Sequence, residues 1–190
     1  MQLRRSVLAA LVLLLLALPA GAQVRGGTIR IGMDADNTTM DPHMSSAAVD
    51  RQVYNNLYGK LVDVDAKSNI VPQLAVSWDV KNGGRTYVFK LRREVKFHDG
   101  TDFNAEIVKW NFDRMRDPAL ASPRRSEIAA VKDVKVLDPT TVEFTLTAPF
   151  APFLSVLSDR AGMMVSKAAV EKYKGDFARN PVGTGPFRFV

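Results

Sequence analysis

From residue 26 to residue 190 the apolar positions fall into short runs of period two or of helical spacing, separated by turn residues. Ile29, Ile31 and Met33 alternate over 28–33, which predicts a strand. Val49, Val53 and Leu57 recur at i, i+4 and i+8, so a helix is expected over 47–58, capped by Ser45 or Ser46 and closed by Gly59. Residues 61–64 read as a strand and 72–76 as a short helical turn. Residues 78–80 and 86–91 alternate on either side of Asn82-Gly83-Gly84, the pattern of a hairpin with Tyr87, Phe89 and Leu91 inward. A strand over 95–97 runs into the turn His98-Asp99-Gly100. Asn104 then suits the N-cap of a helix over 105–116 whose buried face is Val108, Phe112 and Met115. A second hairpin is predicted from 134–137 and 141–147 about Asp138-Pro139, with Val142, Phe144 and Leu146 inward. A helix over 149–157, a strand over 163–165, a helix capped by Ser166 and running to Tyr173, and an alternating apolar stretch at 187–190 complete the reading. The mixture defines an α/β fold. Because the last run is strand-like, its partner strands are expected downstream, in a longer chain of which this is a truncated part.

The first 22 residues have a different character. Arg4 and Arg5 precede an unbroken apolar run over 7–18, and Ala20-Gly21-Ala22 has the small residues that signal peptidase reads. The run is too short to cross a bilayer comfortably. A signal peptide over 1–22, cleaved after Ala22, is therefore expected, and with it export to the periplasm. This segment holds two arginines and no acid, so beyond it the formal excess falls from +6 to +4. The basic residues show no dense run, only isolated pairs such as Arg92-Arg93 and Arg124-Arg125, so nucleic acid is not an expected partner. A hydrophobic share of 46% and a charged share of 24% suit a packed core and exclude disorder for most of the chain.

Candidate chemistry is sparse. The chain has no cysteine, which removes disulfides, thiolate metal sites, cysteine nucleophiles and a lipid-anchoring cysteine after the leader. With only two histidines, His43 and His98, a multi-histidine metal site is not expected, and no cofactor is predicted. Asp34, Asp36 and Asp41 suggest a calcium loop, but positions six and twelve of that pattern are Thr39 and Ser45 rather than Gly and Glu. Gly183-Thr184-Gly185 is too short for a phosphate loop, and no Gly-x-Ser-x-Gly elbow occurs. His98 beside Asp99 has the chemistry of a base with its orienter, yet no nucleophile motif accompanies it and His-Asp-Gly is a natural turn. Trp78, Trp110, Phe112, Phe144, Phe150 and Phe153 sit at periodic positions that suit a core rather than stacking platforms.

Several motifs together resemble one family. Gly27-Thr-Ile-Arg-Ile-Gly with Met40-Asp41-Pro42-His43 is similar to the opening of the family 5 extracellular solute-binding proteins. These are the peptide, dipeptide, glutathione and nickel-chelate receptors of ABC importers. The resemblance continues through Leu57-Tyr58-Gly59-Lys60-Leu61-Val62 and Pro72-Gln-Leu-Ala-Val-Ser-Trp78. It is strongest in Thr86-Tyr-Val-Phe-Lys-Leu-Arg-Arg93 and Val95-Lys-Phe-His-Asp-Gly-Thr-Asp-Phe-Asn104. Pro149-Phe-Ala-Pro-Phe-Leu154, Met163-Met-Val-Ser166 and Asn180-Pro-Val-Gly-Thr-Gly-Pro-Phe187 close the ordered set, and the stretch around Asp159-Arg160 is most similar to the dipeptide and glutathione branch.

The resemblance implies a type II periplasmic-binding-protein-like first lobe with an extra subdomain over 23–190, truncated before the second lobe. It implies a receptor that closes on its solute by hinge motion, needs no catalytic residue, works as a monomer and delivers to a permease and ATPase complex in the inner membrane. A nickel chelate or another small solute is the alternative cargo, and a secreted hydrolase with its catalytic part downstream is the alternative class. For the site, the resemblance points to Asn37, Thr38, Thr39 and Met40 as a turn lining the cleft, against a plain surface loop. It also points to Ser158, Asp159 and Arg160 as polar contacts. Arg160 would then take a substrate carboxylate through two parallel donors, against a surface arginine paired with Asp159.

Overall fold

The computed structural model describes residues 26–190; the expected leader and its cleavage after Ala22 lie outside them. The chain separates into two units, Met1–Met33 and Asp34–Val190. In the first, residues 26–33 form neither helix nor strand, and Ile29 and Ile31 are 86% and 79% exposed. The strand expected over 28–33 is thus not formed, because alternation sustains a strand only where a neighbour supplies the ladder and no described segment pairs with this one.

The second unit is built on an antiparallel sheet that joins both predicted hairpins. Its strands are β3 (Ala75–Lys81), β4 (Thr86–Leu91), β5 (Val131–Asp138) and β6 (Thr141–Leu146), ordered β3-β4-β6-β5. The hairpins meet along β4 and β6, with Phe89 opposite Val142 and Tyr87 opposite Phe144. Helix α2 (Ala105–Arg116) covers the inward face. Asn104 starts it by accepting a hydrogen bond from the Ile107 amide, and Val108, Phe112 and Met115 are fully buried beneath it. Phe144 lies at the centre, edge-on to Phe112 at 4.7 Å and to Phe89 at 5.5 Å.

A smaller core lies around helix α1 (Asp50–Leu57) and helix α4 (Lys167–Tyr173), where Tyr54, Leu57, Tyr58, Met163, Val165, Ala169 and Phe177 pack. Strands β1 (Val62–Val64) and β2 (Ile70–Pro72) form a two-stranded ribbon, and α3 (Phe153–Leu157) precedes the segment leading to α4. Among the described residues no helix is long and apolar enough to cross a membrane.

Several local expectations are corrected. Residues 72–76 are not a helical turn but the end of β2 and the start of β3; the Leu74 and Ala75 amides donate sideways to the Lys60 and Leu61 carbonyls, so none is left for a helix. The stretches at 95–97 and 163–165 make single bridges, Lys96 to Asp102 and Lys60 to Met163, rather than strands. Residues 187–190 are irregular, with Phe187 63% exposed. Helix α1 begins at Asp50 behind Val49 with no side-chain cap, because the Ser45 hydroxyl is committed to the Asp50 side chain. Its buried face is Asp50, Tyr54 and Leu57 rather than Val49, Val53 and Leu57. Gly59 does not terminate α1 in the left-handed region; a β-carbon there would stand 2.5 Å from Thr184 Oγ1 and 3.1 Å from Leu74, so a larger residue would displace those side chains.

Candidate functional site

The turn at 37–40 is held from below by α1. Thr38 donates to Asp50 twice, from its amide at 2.8 Å and its hydroxyl at 2.6 Å, and Asn37 Nδ2 donates to the same carboxylate at 3.2 Å. The carbonyls of Thr39 and Met40 accept from the Tyr54 and Tyr58 hydroxyls, each at 2.6 Å. Burial raises the pKa of both phenols, so they remain neutral donors. In the turn Asn37, Thr39 and Met40 are part-buried and Thr38 is exposed, and two of its carbonyls are already engaged.

Asp50 is fully buried and, among the described residues, has no direct cationic partner. Its fourth donor is Ser45 Oγ at 2.5 Å. Burial pushes the carboxyl upward, but the bonds from Ser45, Thr38 and Asn37 outweigh it and hold the group below the ordinary range. It is an anion stabilised by neutral dipoles.

Arg160 meets this network from the other side. It is 4% exposed, which excludes the surface-arginine reading. Its three hydrogen bonds all leave from Nη1, to Ser45 Oγ at 3.2 Å, the Ser45 carbonyl at 3.4 Å and the Ala47 carbonyl at 3.0 Å. Its Nε is buried with no acceptor, and Asp159 Oδ1 is 4.0 Å away. Asp159 is instead gripped by Arg51, whose Nε and Nη2 reach it at 2.9 and 2.6 Å. Burial and the fields of Arg124 and Arg51 lower the Arg160 pKa from its high ordinary value. Arg124 is itself buried and paired with Glu127.

The structure therefore joins Asn37, Thr38 and Arg160 in one network, with Asp50 and Ser45 at its centre. Thr39 and Met40 contribute backbone groups to the same region. Ser158 stands outside, donating to the Ser155 carbonyl at 2.8 Å as the cap of α3. A helix face drawn through apolar residues alone does not reveal Asp50 and Arg51; the available signal is an Asp one helical turn before Tyr54 on the buried face.

Beside the site lies a second buried polar group. Arg114 holds Asp41 through Nη1 at 3.3 Å and Nη2 at 2.6 Å, and its Nη1 donates to His43 Nδ1 at 2.8 Å. That bond makes Nδ1 an acceptor, so Nε2 carries the proton and donates to the Met163 carbonyl at 3.0 Å. Burial, resisted by Asp41 and reinforced by Arg114, lowers the His43 pKa to about 4. Open grooves near 670 and 560 Å³ flank α2, lined by residues such as Trp110, Asp113 and Arg116, and neither includes a predicted contact.

This mixed arrangement of helices and sheets matches the fold of solved periplasmic binding proteins. The family model "Bacterial extracellular solute-binding proteins, family 5 Middle" matches residues 69–190, and the chain belongs to that family. The chain is 37% identical over 171 residues to the glutathione-binding protein GsiB of Escherichia coli (strain K12), covering 90% of this chain. It spans about a third (33%) of the length of that relative. Among solved structures, the periplasmic binding protein DppA from Helicobacter pylori in complex with peptide STSA is 32% identical with a TM-score of 0.73, over 82% of this chain and 35% of that one. NikZ from Campylobacter jejuni in complex with Ni(L-His) is 32% identical with a TM-score of 0.72, over 82% of this chain and 31% of that one. By name GsiB is a glutathione-binding protein and DppA an ABC transporter-associated periplasmic binding protein, and NikZ was solved with Ni(L-His) bound.

Proposed function

We propose that the chain supplies one wall of a periplasmic receptor for peptide-like solutes, which hands its cargo to an ABC permease and ATPase and does no chemistry on it. In this reading, the remaining length seen in the relatives supplies the opposite wall, and the cleft closes over the turn at 37–40 and Arg160. The observation that carries it is the buried guanidinium of Arg160, bonded through Nη1 alone and with an unmet Nε. A carboxylate that reached the Nε–Nη2 edge, which is covered in this structure and has Asp159 Oδ1 4.0 Å from Nε, would complete it with a charge-assisted pair. Backbone groups of the turn would fix the solute's orientation.

The test is a thermal-shift screen of the full-length protein against di- to pentapeptides, glutathione and nickel–histidine, followed by calorimetry with the best solute. Arg160→Ala should weaken that solute about 10- to 100-fold, from roughly 1.5–3 kcal/mol for a hydrogen bond to a charged group. Arg160→Lys should recover part of the loss, since an ammonium cannot offer two parallel donors. Unchanged affinity in Arg160→Ala would remove Arg160 from the site. A shift with the nickel chelate alone would replace the peptide-like cargo with that one.

A further inference from the structure

Asp50 stands 100% buried at the junction of the two candidate segments, yet touches neither Arg160 nor open solvent. The link between them is one hydroxyl. Ser45, also fully buried, lies 2.5 Å from Asp50 Oδ2 and 3.2 Å from Arg160 Nη1. An ionised carboxylate only accepts, and a guanidinium only donates. The Ser45 proton therefore points at Asp50, 2.5 Å away and charged, rather than at the Ala47 carbonyl, 3.5 Å away, which turns the oxygen lone pairs toward Arg160.

We infer that Asp50 is a positioning residue for Arg160, acting through Ser45 to orient the guanidinium by Nη1 and keep its Nε side unspent. The same carboxylate fixes Asn37 and Thr38, so the turn and the arginine form one preorganised unit. Preorganisation of this kind lowers the ordering cost of binding. What the arginine is positioned for rests on the reading given under Proposed function; the positioning itself does not. Asp50→Asn removes the compulsion: a side-chain amide donates as well as accepts, so the Ser45 proton is free to turn away from it. Ser45→Ala removes the link outright.

The experiment reads Arg160 directly. In the full-length protein, with arginine side chains labelled with nitrogen-15, the exchange rate of the Arg160 Nε proton is measured in the parent, Asp50→Asn and Ser45→Ala. The signal is assigned by its loss in Arg160→Lys. Arg124 is the internal control, because its Nε is also buried and without an acceptor but it has no bond to Ser45. Loss of one hydrogen-bond anchor should speed Arg160 exchange about three- to tenfold in both variants, with Arg124 unchanged. Unchanged Arg160 exchange in a folded variant overturns the inference. Equal acceleration of Arg124 also overturns it, since that is general loosening. If Asp50→Asn does not fold, Ser45→Ala decides alone. No solute is needed, so a failed solute screen and a failed relay are distinct results.

Discussion

Acidification should destabilise this protein well above the range where carboxylates titrate, and His43 is the reason. Its ring is fully buried, with Nδ1 accepting from Arg114 and Nε2 donating to Met163, and its pKa is lowered to about 4. In the unfolded chain the same ring has a pKa near 6.5. At pH 5 the unfolded chain therefore holds almost a full proton there, while the folded protein holds about a tenth of one. The sign follows: the stabilisation is complete above pH 6.5 and is lost as the pH falls toward 4. Integrating the proton difference from pH 7.5 to pH 5 gives a loss of about 2 kcal/mol, rising toward roughly 3 kcal/mol at pH 4. Asp50, Asp99 and Asp159, whose carboxyls are held below the ordinary range, add their losses only below about pH 5. Urea unfolding of the purified protein at pH 7.5, 6 and 5 measures the slope. His43→Gln should be less stable at pH 7.5 and should lose most of the slope. A flat parent profile, or equal slopes in the parent and His43→Gln, would refute the reasoning.

Three further outcomes are expected, each read by chemical denaturation. Gly183→Ala should destabilise by about 1–3 kcal/mol, because its β-carbon would stand 2.1 Å from the Leu57 carbonyl oxygen, and it should also shift the His98 ring signals, since the His98 amide donates to the Gly183 carbonyl. Asn104→Ala should cost about 1 kcal/mol by leaving the Ile107 amide uncapped, while Asn104→Asp should cost little. Phe144→Ala should cost about 3–5 kcal/mol, since that ring contacts Phe89, Phe112 and Phe153 at once.

What was legible in the sequence was mostly local. The cap and buried face of α2 lie within twelve residues, and both hairpins carry their turn residues at the apex. The pairing of β4 with β6 was not legible, because it joins residues more than fifty apart and alternation says only that a face is buried, not by what. Residues 72–76 misled because leucine and alanine after a proline suit a helix start, while the decisive bonds come from Lys60 and Leu61. At the site, the residue types at 37–40 and at Arg160 drew attention, but their connection runs through Ser45 and Asp50. A buried acid on a helix face has no period of its own to reveal it. It becomes visible only once its four donors are assembled around it.

The charges explain why such an indirect connection has value. Arg51 and Arg124 each have a carboxylate in direct contact, Asp159 and Glu127. Arg160, the most enclosed of the three side chains, has its nearest carboxylate oxygen at 4.0 Å and none in hydrogen-bond contact. A direct, two-pronged pair like that of Arg51 would neutralise it, but would occupy the donors that could meet a carboxylate from outside. Leaving it wholly uncompensated would cost several kcal/mol. Carboxylates held just beyond hydrogen-bond reach, with a hydroxyl as the direct partner, avoid both. The fields of Asp159 and Glu127 favour the cation from a distance, while the Ser45 hydroxyl, fixed by Asp50, takes only Nη1. The burial of Asp50 itself is met by three further donors, all of them from the turn at 37–40. Neutralising Asp50 therefore disturbs the arginine and the turn together, whereas neutralising Asp159 frees Arg51 and leaves the Nη1 bonds of Arg160 in place.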